Sequence, residues 1–467
     1  MNFQFKGMRS LEKIYNISPI WAQNLMCSVK GALIKRQRYN EFFFSALEGL
    51  LSTQTWTEDN IRRYKEEHLF QIIEYAYQNV PFYKWFYDTH HVSPKDYHSL
   101  DDIKKFPVLT KDLIRENYKD MVSTVYPSKD LISNHTSGST GKALDFYQTK
   151  ESLPFIWAVW WRFRNRNGIE FNEKSLNFTG KLIVPMASDE PPYWRINRPL
   201  NQWLLNMQHI TKEKIGPMVD MINQEHFSFF SGYPSIIYAF SSVAQEMGLI
   251  CSSPPKAIFT GAEKMYDYQK KDIQALFPDT LITDHYGTSE GVVNASKCKY
   301  GHYHEDFELG HIECNNPHWI SDTQYEGEIL GTCFQNYGMP FIRYKIGDSA
   351  VWSTEKCDCG LHSQVIQDIQ GRSEDFVITP EGTRIMRFDY LFKDTTDIKE
   401  CQVVQNKYGE LLFRIVRRNN YSIKTEEKLK KMVAEFISPT MECKFEYVSE
   451  IERTSTGKFR AVVSNLK

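Results

Sequence analysis

Residues 135–142 read His135-Thr136-Ser137-Gly138-Ser139-Thr140-Gly141-Lys142. A run with four hydroxyls, two glycines and no apolar side chain has nothing to bury, so it belongs to neither a core strand nor an amphipathic helix. The chain must turn here. Glycines let successive backbone N–H groups converge on an anion. The hydroxyls add donors, and Lys142 adds positive charge. The spacing is not that of a Walker loop: two residues rather than four separate the glycines, and Ala143 follows the lysine. A polar surface loop shares this composition, but the ordered string Thr-Ser-Gly-Ser-Thr-Gly-Lys favours phosphate binding.

The flanking sequence has the periodicity of an α/β body. Ala257–Phe259, Leu281–Asp284 and Glu328–Thr332 read as strands, and Ser235–Met247 and Tyr266–Leu276 read as helices between the first of them. Before this body, residues 1–105 read as mainly helical. Glu58–Tyr77 carries Ile61, Tyr64, Leu69, Ile72, Ile73 and Tyr77 near helical spacing, and Asn79-Val80-Pro81 ends it. Thr110 reads as the cap of a further helix. After Gly371 the pattern changes to short strands at Phe376–Thr379, Gly382–Ile385, Glu400–Gln405, Leu411–Arg417 and Cys443–Val448, with one amphipathic helix over Thr425–Ile437.

Composition excludes several classes. The 467 residues carry 56 Lys and Arg against 58 Asp and Glu, a net charge of -2, which argues against a dedicated nucleic-acid-binding protein. No run approaches the ~18 apolar residues of a membrane span, and Met1–Lys35 lacks the apolar stretch of a secretory signal. The expected location is cytoplasmic. Ile20–Ile34 is mildly amphipathic; it suits a membrane surface, but an ordinary surface helix is the default reading. Nine cysteines in a chain of this length do not form a disulfide scaffold.

The 135–142 string resembles the phosphate loop of the adenylate-forming enzymes, which include acyl-CoA ligases and adenylation domains. Five further segments agree with that resemblance in order. Gly261-Ala262-Glu263 resembles a turn bordering adenine. Asp284-His285-Tyr286-Gly287-Thr288-Ser289-Glu290 resembles Y-G-x-[TS]-E, which implies Tyr286 stacking on adenine, a Thr288 or Ser289 hydroxyl at the α-phosphate, and Glu290 holding Mg²⁺. Arg343-Tyr344-Lys345-Ile346-Gly347-Asp348 resembles a segment whose aspartate binds both ribose hydroxyls. Gly371-Arg372-Ser373-Glu374-Asp375 resembles the close of the large domain, which implies an Arg372 contact to ribose or phosphate and a hinge at Glu374 or Asp375. Finally, Arg453-Thr454-Ser455-Thr456-Gly457-Lys458 resembles the C-terminal lysine segment, in which Lys458 reaches the α-phosphate and the attacking carboxylate.

With Asn79–Tyr83 and Phe106–Lys111, the chain is similar to the phenylacetate–CoA ligase branch. Within that branch it is nearest to relatives associated with capsular polysaccharide synthesis and with AMP transfer to a coenzyme. The resemblance implies an α/β fold: a helical region over 1–105, an adenylating multi-layer core over 106–373, and a small mobile α+β domain over 374–467. It implies ATP and Mg²⁺ as cofactors. It also implies a ligase that activates a small carboxylic acid as its adenylate and passes the acyl group to CoA or a carrier thiol. The alternatives are acyl transfer to an amine or hydroxyl of a sugar, and direct AMP transfer. Trp157, Trp160, Trp161, Trp203 and Tyr233 are aromatic candidates for the acyl pocket, most of them more suited to the core. A homodimer is compatible with this reading.

Cys298 lies in Cys298-Lys299-Tyr300-Gly301-His302-Tyr303-His304, and Cys357-Asp358-Cys359 follows some fifty residues later. Three thiolates and an imidazole would close a tetrahedral site for Zn²⁺ with no open position, hence a structural one. His302, His304 and His362 compete for the imidazole position. The resemblance favours His304.

Overall fold

The computed structural model describes residues 8–135, 144–372, 377–380, 384–385, 397–453 and 459–466. The phosphate-loop residues Thr136–Lys142, the hinge candidates Glu374 and Asp375, and Lys458 lie outside the described residues. Local rules set the helix ends in the N-terminal part. Thr57 accepts a hydrogen bond from the Asn60 amide at 3.4 Å and opens the helix Glu58–Asn79. Val80 is extended because Pro81 follows it, and Pro81 begins the next helix, Pro81–Thr89. Leu69, Ile72, Ile73 and Ala76 turn one face of the long helix into the core.

Among the described residues the large sheet has twelve strands. Its middle is parallel: Leu281–Gly287, Ala257–Gly261, Phe229–Gly232, Ser175–Thr179 and Gln202–Asn206 lie side by side. The two helices Pro234–Glu246 and Asp267–Leu276 connect successive parallel strands, since parallel pairing needs a long crossover. At one edge Trp194–Asn197 pairs antiparallel with Gln202–Asn206. Beyond Leu281–Gly287 the sheet becomes antiparallel, through Asn294–Lys297, Tyr303–Glu305, Val365–Arg372, Tyr344–Ser353, Gln324–Cys333 and Gly310–Trp319. The carboxyl end of Leu281–Gly287 pairs with Asn294–Lys297, the first antiparallel strand, and ligands of open α/β sheets bind at the carboxyl ends of parallel strands.

The small C-terminal unit has its own core of Val403, Leu411, Phe413, Ile415, Leu429 and Val433, between a four-stranded sheet and the helix Ile423–Phe436. It is tied to the large unit by polar contacts. Arg418 pairs with Asp272 and donates to the Tyr238 hydroxyl at 2.9 Å, and that hydroxyl donates to the Lys399 carbonyl at 2.5 Å. The mixed α/β body with a smaller α+β module agrees with the fold class read from sequence.

Two buried charge networks lock helices to the segment Tyr303–Glu308. Arg162 donates to Asp306 at 2.7 Å and to both Glu308 oxygens, at 2.5 and 2.9 Å. Lys65 pairs with Glu305, which also accepts the Ile312 amide at 2.7 Å. Burial alone would raise the Glu305 carboxyl; the Lys65 ammonium and His311 outweigh it and hold it at about 2, against 4.5 when free. A depressed carboxyl stabilises the fold fully above the free value and loses that contribution as pH falls toward the folded one. Thermal melts are therefore expected to lose up to about 3 kcal/mol from this group between pH ~4.5 and ~2. Lys65→Met removes that part of the acid dependence and lowers stability at neutral pH, since it strands a buried carboxylate.

Candidate active site

The site is assembled from turns at the carboxyl ends of neighbouring strands. Gly261 ends its strand beside His285, to which it is paired in register. A Cβ on Gly261 would lie 2.9 Å from the His285 ring and 2.9 Å from its carbonyl oxygen, so only glycine allows this approach. Ala262 then takes a left-handed conformation (φ 67°) that swings the chain toward the small unit. The Glu263 carboxylate accepts the Ser235 amide at 3.3 Å and the Phe459 amide at 2.6 Å. Burial pushes its carboxyl above the usual range, against the pull of those amides. Glu263 thus joins the turn after Ala257–Gly261 to the residue that follows Lys458.

On the next strand, Asp284 is buried and accepts from the Thr260 hydroxyl at 2.9 Å and from Tyr303. The His285 ring sits 5.0 Å from Trp160, and burial lowers its pKa, so it is held neutral. Tyr286 donates its hydroxyl to Asp348 Oδ2 at 2.5 Å. That contact joins two segments some sixty residues apart. Gly287 closes the strand, and Thr288 makes the turn by accepting the Gly291 amide on its carbonyl at 3.0 Å and the Val292 amide on its hydroxyl at 3.4 Å. Ser289 is exposed, while Glu290 is buried. Glu290 Oε1 accepts from the Tyr344 hydroxyl at 3.4 Å, and its carbonyl accepts from Gln148 at 3.4 Å. Asp348 lies directly opposite Arg372 in the antiparallel pair.

Tyr286, Glu290, Asp348 and the Arg372 backbone therefore converge, with His285 on the strand of Tyr286 and Gly261 on the adjacent one. Sequence reading missed Asp284, Gln148 and Tyr344 as partners of this site. Tyr344 had a signal, since it stands inside the Arg343–Asp348 string. Arg343, its neighbour, is structural: it is buried and bonds both Glu313 oxygens, at 3.0 and 3.2 Å, and the Phe106 carbonyl at 2.5 Å. Of the aromatic candidates, Trp160 touches His285, whereas Trp161 packs in the core on Phe171 and Phe229. Trp203 stacks on Trp194 at the sheet edge, and Tyr233 joins the core around the parallel strands.

A second cluster lies nearby. Ligand atoms of Cys298, His304, Cys357 and Cys359 all fall within 4.8 Å of one another, an arrangement able to hold a metal ion. Cys298 and Cys357 sulfurs are 3.7 Å apart, and Cys359 Sγ is 3.2 Å from His304 Nε2. The other ring nitrogen of His304 faces the Ser363 carbonyl at 3.3 Å, which sets the tautomer that leaves Nε2 free. His302 touches the Cys357 sulfur at 3.3 Å through Nδ1. Burial raises the Cys298 thiol, but hydrogen bonds from His304 and from the Tyr300 and His302 amides prevail and bring it down to about 6.

Residues 377–465 match the CapK C-terminal domain family. The whole chain is similar to Protein CapK of Staphylococcus aureus, with 29% identity over 98% of this chain and 100% of that protein. Phenylacetate-coenzyme A ligase of Thermus thermophilus is 24% identical over 70% of this chain and 73% of its own. Among solved structures, 2-hydroxyisobutyryl-CoA ligase in its postadenylation state superposes with a TM-score of 0.69 at 17% identity, over 88% of this chain and 91% of that one. The chain is thus similar to CapK along nearly its whole length, carries a C-terminal segment that matches the CapK C-terminal domain, and shares the fold of 2-hydroxyisobutyryl-CoA ligase.

Proposed function

We propose that the protein is an AMP-forming acid–thiol ligase: it adenylates a small carboxylic acid with ATP, releases pyrophosphate, and transfers the acyl group to CoA or a carrier thiol with release of AMP. The observation that carries this reading is the Tyr286–Asp348 contact, with Glu290 buried beside Tyr344. It brings an aromatic face for a purine, a carboxylate for ribose hydroxyls and a carboxylate for a cation to one place. Asp348 would accept both ribose hydroxyls, and Arg372 would contact ribose or phosphate. The loop Thr136–Lys142 would hold the outgoing phosphates, with the Ser289 or Thr288 hydroxyl at the α-phosphate. Glu290 would hold Mg²⁺, which neutralises phosphate charge when bound. Glu374 or Asp375 would serve as the pivot of the small domain. The work of these groups is alignment and charge neutralisation.

ATP–pyrophosphate exchange over aryl, fatty, amino and sugar acids tests the first half-reaction. Acid-dependent exchange supports adenylation and names the acid class; ATP binding without exchange for any acid class counts against it. Subsequent acyl transfer with CoA, and with amino and hydroxyl sugars, separates a thiol acceptor from the alternatives. Asp348→Ala is expected to raise KM for ATP about tenfold or more, because hydrogen bonds to a charged acceptor contribute about 1.5–3 kcal/mol each. An unchanged KM would remove Asp348 from the nucleotide site.

We also propose that the Cys298, His304, Cys357 and Cys359 cluster holds a structural Zn²⁺. Tetrahedral Zn–S bonds of about 2.3 Å place two sulfurs about 3.8 Å apart, close to the 3.7 Å between Cys298 and Cys357. A disulfide would need about 2.05 Å.

A further inference from the structure

The helix Ile20–Arg38 lies along the edge strand Trp194–Asn197 with its polar side turned inward. Gln23 Oε1 accepts from Arg195 Nε at 2.6 Å, and Asn24 Oδ1 accepts from the Ile196 amide at 2.9 Å. The Ser28 hydroxyl donates to the Ile196 carbonyl at 3.2 Å and accepts from the Arg198 amide at 3.3 Å. Gly31 packs directly against the Asn197 side chain. An edge strand leaves backbone groups that need polar partners, and this helix supplies them from its side chains.

The helix is therefore inverted. At roughly 100° per residue, Trp21, Leu25, Val29, Leu33 and Met26 fall on the side away from the strand. They are open to solvent: Trp21 is 71% exposed, Leu25 57%, Val29 55% and Leu33 65%. Ile14 and Ile17 of the preceding helix are exposed too, as are Leu182 and Met186 on the loop whose Ile183 carbonyl accepts the Tyr15 hydroxyl. Contiguous apolar surface of this kind marks an interaction site. Its border is cationic. From Lys13 to Asn40 there is no Asp or Glu, while Lys13, Lys30, Lys35, Arg36 and Arg38 all occur there. Lys30 and Arg36 are exposed, and Lys181 lies close enough for Lys30 to lower its pKa, after burial.

We propose that this face docks the protein on an anionic lipid surface, with the helix lying in the boundary between headgroups and acyl chains. An apolar stripe on a helix that itself carries cations and no acidic residue fits that surface. A second copy fits it poorly, because two such faces would bring like charges together. Among the described residues no helix is long and apolar enough to cross a membrane, so the contact is peripheral. The proposal is independent of the adenylation chemistry.

The test is sedimentation of the full chain with phosphatidylcholine vesicles, alone and with about 30 mol % phosphatidylglycerol, at low and high salt. The expected result is salt-sensitive binding to the anionic vesicles and little to the neutral ones. Lys30→Gln/Arg36→Gln should bind about thirtyfold more weakly. Leu25→Gln/Leu33→Gln should lose at least about tenfold at low salt, with thermal melting unchanged because both residues are exposed. Absence of binding to anionic vesicles overturns the proposal, as does binding that neither variant weakens. So does a dimer, seen by light scattering, that Leu25→Gln/Leu33→Gln dissociates, which would make a second copy the occupant.

Discussion

Cys357→Ala is expected to lose its zinc and to melt at least about 10 °C below the parent protein. The cluster joins the turn between Asn294–Lys297 and Tyr303–Glu305 to the loop between Tyr344–Ser353 and Val365–Arg372. Structural zinc contributes about 10–16 kcal/mol to folding in small domains. Here the cluster ties two loops at the margin of a large core, so a smaller, local loss is expected. Loss of the metal is also expected to weaken ATP binding at the proposed nucleotide site, because Asp348 and Arg372 sit on the two strands that the loop connects. Elemental analysis should find about one zinc per chain in protein purified without chelators. Cys443→Ala, a half-buried thiol in the small sheet, should keep its metal. Parent protein without zinc, or a Cys357→Ala protein that melts like the parent, would sink the site.

Lys458→Ala is expected to slow ATP–pyrophosphate exchange by about 10²–10³, the loss typical of one preorganised charged donor. Its neighbour Phe459 donates its amide to Glu263 at 2.6 Å, beside the turn Gly261–Glu263. On the proposed role, the lysine neutralises the attacking carboxylate and the α-phosphate as charge passes between them. Because that task belongs to the first half-reaction, transfer to CoA from supplied acyl-adenylate should fall far less. Equal losses in both half-reactions would instead indicate a damaged small unit, and no loss in either would remove Lys458 from the chemistry.

Short-range chemistry was readable along the chain. The Thr110 cap, the break at Val80-Pro81 and the strand ending at Gly261 follow from rules spanning only a few residues. The order of the six segments that carry the resemblance was also plain, because each needs particular residue types in a fixed local spacing. Long-range contacts were not readable in this way. Nothing in Asp284–Glu290 says that Tyr286 will reach Asp348, or that Tyr344 rather than Lys345 will face Glu290. Those contacts depend on the antiparallel strands that follow Gly291, whose register is set by pairing across the sheet.

Spacing alone also left three histidines in contention beside Cys298, Cys357 and Cys359. Cross-strand pairing of His304 with Ser296 and Val365 places its Nε2 at Cys359 and its Nδ1 at the Ser363 carbonyl, while His302 reaches only the Cys357 sulfur from the side. The helix Ile20–Arg38 shows the same division most clearly. Its residues specify two faces, one polar and one apolar, and a periodic pattern ordinarily sends the apolar face inward. Only the fold revealed that its neighbour is an edge strand with backbone groups to satisfy. The polar face went in to bond the backbone of Ile196 and Arg198, and Trp21, Leu25, Val29 and Leu33 were left outside.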